Sequence, residues 1–234
     1  IFGEENNLGT IVWDKRNPKG AVAGIAYQHE SIPVYCKNIN VFANIDFLKR
    51  KENADEMIKK VNALIRKNKK VDDNIRQQYK EWIKANENRL SGGERAYSLI
   101  DDNGDIYQSV SMAAPDKPET RSHRALILPI TGKPCPTPTK GWRYTDEAMD
   151  ALLNNNRIEF GIDHSTQPRQ RYYLKENMRE AVSSLLYFGG SDNAEGLPFD
   201  NPKPVTLTMK LIDSILQNDI IILDFFENDI NVGD

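Results

Sequence analysis

Apolar positions along this chain recur in two rhythms, and the switches between them mark its elements. Residues 8–13 (LGTIVW) are a short apolar run that predicts a strand. A polar loop with Asn17-Pro18, Gly20 and Gly24 follows. Residues 31–36 (SIPVYC) predict a second strand, placed at an edge or a bulge because Pro33 cannot donate to a ladder. From residue 53 to about 88 the period becomes helical. Met57, Ile58, Val61, Leu64 and Ile65 make one stripe, and Val71, Ile75, Tyr79, Trp82 and Ile83 make another. With Lys67, Lys69 and Lys70 between them, the pattern predicts a helical hairpin with a basic turn, closed by Gly92-Gly93.

Residues 96–113 predict a β-hairpin around the turn signal Asp102-Asn103-Gly104. An apolar strand is expected at 125–130, then a loop at 131–141 stiffened by Pro134, Pro136 and Pro138. A helix at 145–153, strands at 157–161 and 170–174, and a helix from 175 to about 186 complete the middle of the chain. Near the end Asn201 can cap a helix, with Pro202 and Pro204 in its first turn. Its apolar stripe is Val205, Met209, Ile212 and Leu216, widened by Leu211 and Ile215. Gln217-Asn218-Asp219 breaks the period, and residues 220–223 read as a strand buried on both faces. That strand ends in Asp224-Phe225-Phe226, at the carboxyl end where open α/β sheets bind their ligands.

At 234 residues, with 39% apolar and 28% charged positions, the chain has enough apolar text for one large or two small cores. A formal charge of −3 excludes a uniformly basic coat but not a basic face. Residues 49–70 carry nine Lys/Arg against three Asp/Glu, and residues 117–143 carry six against one. The last sixteen residues hold five acids and no base. Cys36 and Cys135 are too few for a disulfide framework and lack zinc spacing, which suits two reduced thiols in a cytoplasmic protein. No stretch approaches the ~20 apolar residues of a membrane span. The opening IFGEENN does not resemble a signal peptide, and with no initiator Met the chain is expected to be a fragment.

The text FDNPKP followed by ILDFF closely resembles a junction in the adenine-specific DNA methyltransferases of type III restriction–modification systems, the modification (Mod) subunits. IVWDKRNPKG…YQHESIPVYCKN and DNGDIY…GWRYT…RIEFG…RYYL are similar to further segments of that family, in the family's order. The resemblance runs roughly from Phe2 to Phe226. It departs in two places: the glycine-rich loop that usually follows DFF is absent, and so is the catalytic Asp/Asn-Pro-Pro-Tyr tetrapeptide. The resemblance implies an α/β fold, a partial Rossmann-like S-adenosylmethionine-dependent methyltransferase core with an inserted α+β target-recognition region. The core segments are expected at 1–45 and 187–234 and the recognition region at 46–186.

Carried over from the family, Asn201, Lys203, Pro204, Asp224 and Phe226 become candidate S-adenosylmethionine contacts. Helix capping accounts equally for Asn201, and strand termination for Asp224. Lys15, Arg16, Asn17 and Lys19 sit in the first loop, where basic and amide groups suit phosphate contact, as they also suit a solvated loop. His29 fits a hydrogen bond near a flipped base or, equally, a structural bond at a strand start. Arg121, Arg124, Lys133, Lys140 and Arg143 mix with Trp142 and Tyr144 around the proline-rich loop, and Arg169 and Arg171 with Tyr172 and Tyr173 form a second cluster. Such mixtures track phosphates and read base edges, while Trp142 and Tyr173 individually read as core anchors. The basic hairpin turn is balanced between a DNA contact and a solvated face.

No Ser-His-Asp or Cys-His constellation and no metal motif is present, so no catalytic residue is assigned. The implied activity is methyl transfer from S-adenosylmethionine to adenine N6 in a specific double-stranded DNA sequence. The chain is expected to supply recognition and part of the cofactor wall, and to be inactive alone. The resemblance further implies a homodimer and a restriction subunit as partners. The alternative is a non-catalytic DNA-binding or protein-interaction module.

Overall fold

The computed structural model describes residues 2–16, 24–43, 47–187 and 204–213. In chain order the first elements are β1 (Asn7–Asp14), β2 (His29–Tyr35), α1 (Ile39–Phe42) and β3 (Leu48–Arg50). A helical stretch follows, α2 (Ala54–Asn68), α3 (Asp73–Ala85) and the single turn α4 (Gly92–Arg95). Then come β4 (Leu99–Ile100), β5 (Ile106–Ser111), α5 (Asp146–Asn154), β6 (Ile158–Glu159) and β7 (Arg169–Tyr173). The last are β8 (Arg179–Ala181), β9 (Leu185–Tyr187) and α6 (Val205–Ile212). The architecture is mixed α/β. The chain divides into two compact units, Ile1–Arg50 with Arg179–Asp234, and Lys51–Met178.

In the first unit β1 lies between β2, antiparallel, and β9, parallel. β2 has β1 as its only ladder partner among the described residues, the edge position that Pro33 tolerates. Strand alternation puts Ile11 and Trp13 on one face of β1, where they are buried with Leu186 and Leu207. α6 therefore packs through Leu207 and Leu211, while Val205 and Met209 of the expected stripe are 44% and 51% exposed. The helix's polar positions, Thr206, Thr208 and Lys210, alternate with apolar ones and leave no single helical stripe, so periodicity does not select its inner face. The strand expected at 220–223 lies outside the described residues, as do the capping residue Asn201 and the end of the stripe at Ile215 and Leu216.

β8 pairs antiparallel with β3, and β9 joins β1, so the helix expected at 175–186 is not formed. Only the 3-10 turn Leu174–Glu176 remains of it. Ladder partners distant in sequence override a local helical pattern here. The strand expected at 125–130 is also replaced. Leu126 and Leu128 alternate inward, but pairing reduces to Leu128 N–H to Lys133 O, Cys135 N–H to Leu126 O and one isolated bridge, Ile127 with Pro134. Pro129, Pro134 and Pro136 remove the donors that a ladder needs.

The second unit holds two apolar clusters. The larger joins the hairpin α2–α3 to β4 and β5, through Met57, Val61, Leu64, Ile75, Tyr79, Ile100, Ile106 and Leu174. α2 ends at Lys69, itself in the left-handed region (φ 63), and Asp72 caps α3 by accepting from Ile75 N–H. Gly92-Gly93 does not close the hairpin. The two glycines open α4 behind the cap Ser91, because Ser91 and Glu94 form a reciprocal capping box. The Asp102-Asn103-Gly104 turn packs on α2 so closely that a Cβ on Gly104 (φ +87) would stand 2.5 Å from Ile65 Cδ1. The smaller cluster gathers Met112, Leu126, Met149 and Ile158 around Trp142, which is fully buried with its indole N–H donated to Arg124 O.

Glu94 is 1% exposed and accepts from Asn53 N–H, the Asn53 amide and Ser91 N–H, at 2.7, 3.0 and 2.8 Å. It thereby ties the start of α2 to the start of α4. Replacing it by Gln sets a donor against these donors, so Glu94→Gln should lower unfolding free energy by about 1–3 kcal/mol in a urea titration. Glu87→Gln, at an exposed site, should stay within about 0.5 kcal/mol of the parent.

Candidate nucleic-acid interface

The sheet of the second unit runs β4-β5-β7-β6, with all neighbours antiparallel. β5 and β7 pair over five residues, from Tyr107 opposite Tyr173 to Ser111 opposite Arg169. Because side chains alternate, Tyr107, Ser109, Arg169, Arg171 and Tyr173 share one face, and Gln108, Val110, Gln170 and Tyr172 share the other. The cluster expected around residues 169–173 is thus split across two surfaces.

On the first face most cations have partners within the unit, while the buried Arg171 Nε has no hydrogen-bond partner among the described residues. Arg157 lies over the Tyr173 ring at 4.7 Å and grips Glu176 with both terminal nitrogens, at 2.6 and 2.5 Å. Lys175 pairs with Asp105 at 2.6 Å, and Arg169 donates to Ser109 Oγ and Ser109 O, each at 2.9 Å. Arg171 stands over the Tyr107 ring at 5.4 Å. Tyr107 donates to Glu159 at 2.8 Å and Tyr173 to Asp101 at 3.0 Å. Burial first, and then these acidic acceptors, push both phenols above their ordinary range. A polar cleft of about 650 Å³ opens beside them, lined by both signs of charge, including Asp101, Asp105, Arg157 and Glu176.

The second face differs. Gln108, Val110 and Tyr172 meet Arg143 and Tyr144 around a shallow concavity of about 340 Å³. Arg143 is exposed, lies over the Tyr144 ring at 5.1 Å, and donates to Gln170 Oε1 at 3.3 Å. The Tyr144 hydroxyl donates to the same oxygen. No carboxylate among the described residues forms an ion pair with Arg143.

The remaining candidates are spread out. Arg121 pairs with Asp116 at 3.1 Å, and Arg124 with Asp150 at 2.7 Å. Lys140 donates to Pro115 O at 2.8 Å, while Lys133 is exposed just after the turn at 129–131, its carbonyl accepting from Leu128 N–H. In the first unit Lys15 pairs with Glu30 at 3.0 Å, Arg16 is exposed in the left-handed region (φ 52), and His29 opens β2 opposite Asp14. Asn17 and Lys19 lie outside the described residues. So do Asn201, Lys203, Asp224 and Phe226; Pro204 alone of the cofactor candidates is described, buried at the start of α6. Gln108 was not singled out by sequence reasoning. Its signal was the alternation in β5, which puts an amide on the same face as Ile106 and Val110. Exposed Arg66, Lys67, Lys69 and Lys70 crowd the turn between α2 and α3, with no carboxylate partner among the described residues.

Among the described residues no group of three or more His, Cys, Asp or Glu is placed to hold a metal, and no helix is long and apolar enough to cross a membrane. The sequence profile of the DNA methylase family matches residues 1–229. The chain belongs to that family. It is 30% identical, over 97% of its own length, to the type III restriction-modification enzyme EcoP15I Mod subunit of Escherichia coli. Over 36% of its length it is 26% identical to the type III restriction-modification enzyme StyLTI Mod subunit of Salmonella typhimurium. The match spans 35% of the first relative's own length and 14% of the second's.

The Arg157–Glu176 pair on the self-paired face gives a pH signature. The Arg157 guanidinium holds the Glu176 carboxyl below its ordinary range. A depressed folded pKa contributes stability that is present above the unfolded value and lost as pH falls through the folded one. Glu176→Gln should therefore lower Tm near neutral pH, and the gap from the parent should close as pH falls below the ordinary carboxylate range, as read by thermal melts.

Proposed function

We propose that this chain is part of a site-specific DNA adenine-N6 methyltransferase of the type III modification kind. In this reading the first unit is a piece of a Rossmann-like core and the second, Lys51–Met178, is the inserted target-recognition region. The observation that carries it is the family match over residues 1–229 together with likeness to a Mod subunit along 97% of the chain. The parallel β1–β9 pair covered by α6 supports an α/β core, since parallel strands occur where helices cover the sheet.

When bound, S-adenosylmethionine supplies an electrophilic methyl group for the amine of an adenine turned out of the duplex. We assign its binding to Asn201, Lys203, Pro204, Asp224 and Phe226. The sequence given carries no Asp/Asn-Pro-Pro-Tyr tetrapeptide and no glycine-rich loop after Phe226, so methyl transfer is assigned to the whole protein and recognition to this chain. Double-stranded DNA is the substrate, and a second copy and a restriction subunit are the protein partners of the same reading.

The second unit supplies the charge that such binding requires. Arg66, Lys67, Lys69 and Lys70 offer four cations with no internal ion pair among the described residues, at a turn that leads two rigid helices. They also complement the negative end of the α2 dipole. Phosphate contact through them releases counterions, so binding falls steeply with salt.

The test is binding of this chain to a fluorescent duplex across a salt series, with and without S-adenosylmethionine. Affinity should fall linearly in log–log form, and replacing the four turn cations by Gln should reduce the slope by roughly 0.9 for each phosphate contact removed. Binding that ignores salt, or no binding at low salt, contradicts the proposal.

A further inference from the structure

We infer that the open face of the second unit's sheet, where Gln108 and Tyr172 meet Arg143, reads base edges in duplex DNA, and that Arg143 reads a guanine. The inference rests on the DNA-binding reading above and goes beyond it by naming the surface and the base.

The charge balance singles out this face. A guanidinium gripped by a carboxylate must break that pair before it can bind a base, and Arg121, Arg124 and Arg157 are all held in this way. Arg143 is bound only to the neutral amide oxygen of Gln170 and lies over the Tyr144 ring. Of its five N–H donors one faces Gln170, and the rest remain for a ligand. Two donors in a fixed plane match the O6 and N7 acceptors of guanine, which a Lys ammonium cannot match in the same way.

The side chain is also held in place from behind. Arg143 N–H bonds to Met112 O at 3.0 Å, directly after β5, and the neighbouring Trp142 is fully buried. Gln170, only 8% exposed, accepts from both Arg143 and Tyr144 and so fixes the plane of the fork. Arg143 itself lies in the bend just after Trp142, an isolated-bridge residue, whereas its neighbours Gln108 and Tyr172 sit on paired strands, which hold geometry better than a free loop. Beside it Gln108 and Tyr172 are cross-strand partners. Tyr172 is 38% exposed, and Gln108 offers the donor–acceptor pair that fits an adenine edge at an adjacent base pair. On the opposite face Arg169 and Arg171 also have no carboxylate partner among the described residues, but Arg171 lines a cleft that it shares with Asp101, Asp102, Asp105 and Glu176, whose charges oppose a phosphate backbone.

The experiment selects duplexes with a randomised centre on the full chain, then measures salt-dependent binding to the enriched and to mismatched sequences. The parent chain should enrich a guanine at a fixed position. Arg143→Ala should lose about 5- to 150-fold discrimination at that position, the range for one bidentate pair, and Arg143→Lys should not restore it. Gln108→Ala should relax the neighbouring position, and Arg169→Ala should change neither. Thermal melts confirm that each variant is folded. Equal weakening on every sequence by Arg143→Ala, with a salt slope lowered by about 1, marks a phosphate contact and overturns the proposal. Unchanged preferences in both Arg143→Ala and Gln108→Ala overturn it as well. Salt-sensitive parent binding without sequence preference sinks this assignment and leaves the DNA-binding reading standing, whereas no duplex binding at low salt sinks both.

Discussion

The antiparallel register of β5 and β7, five residue pairs from Tyr107–Tyr173 to Ser111–Arg169, is the constraint on which the second unit's surface depends. A slip of one residue would turn every side chain of a strand to the opposite face. Several contacts hold the register: Tyr107 and Tyr173 stand as cross-strand neighbours with ring centroids 5.9 Å apart, and each phenol reaches an acid on a different strand or turn. Ile106 and Leu174 lock the same end into the hairpin core. From that register follow a face where Arg157, Arg169 and Lys175 are satisfied within the unit and a face where Arg143 stays available.

How much of this was legible in the sequence depends on how local its cause is. The hairpin α2–α3 carries two apolar stripes, a capping Asp72 and a basic turn, all within neighbouring residues, and it forms close to where periodicity puts it. The Asp102-Asn103-Gly104 turn is equally local. Residues 175–186 form strands instead of the expected helix because their helical pattern is overruled by strands β3 and β1, more than a hundred residues away. Residues 125–130 keep apolar alternation but form no strand, because three prolines remove the ladder donors. α6 forms as a helix but packs through Leu207 and Leu211 rather than Val205 and Met209, because its polar positions alternate with apolar ones and mark no single face.

The candidate site was legible in composition and not in arrangement. Cations interleaved with aromatics at residues 121–144 and 169–173 drew attention to the right segments. Which cations remain open depends on where Asp116, Asp150 and Glu176 come to lie, and that is a property of the folded chain. Exposed pairs of this kind add little stability, about 0–1 kcal/mol each, but they decide which guanidinium is free to meet a ligand. Trp142, read as a core anchor, is the centre of an apolar cluster, whereas the inconspicuous Gln108 lies on the open face.

The second unit of this DNA methylase family chain is proposed to meet DNA through one face of its sheet and through its hairpin turn. Ultraviolet crosslinking of the chain to a halogenated duplex, with adducts located by peptide mass spectrometry, tests it most directly. The account predicts adducts on Tyr172 or Tyr144 together with peptides from the α2–α3 turn. Adducts confined to residues of the first unit, with none in Lys51–Met178, would contradict it.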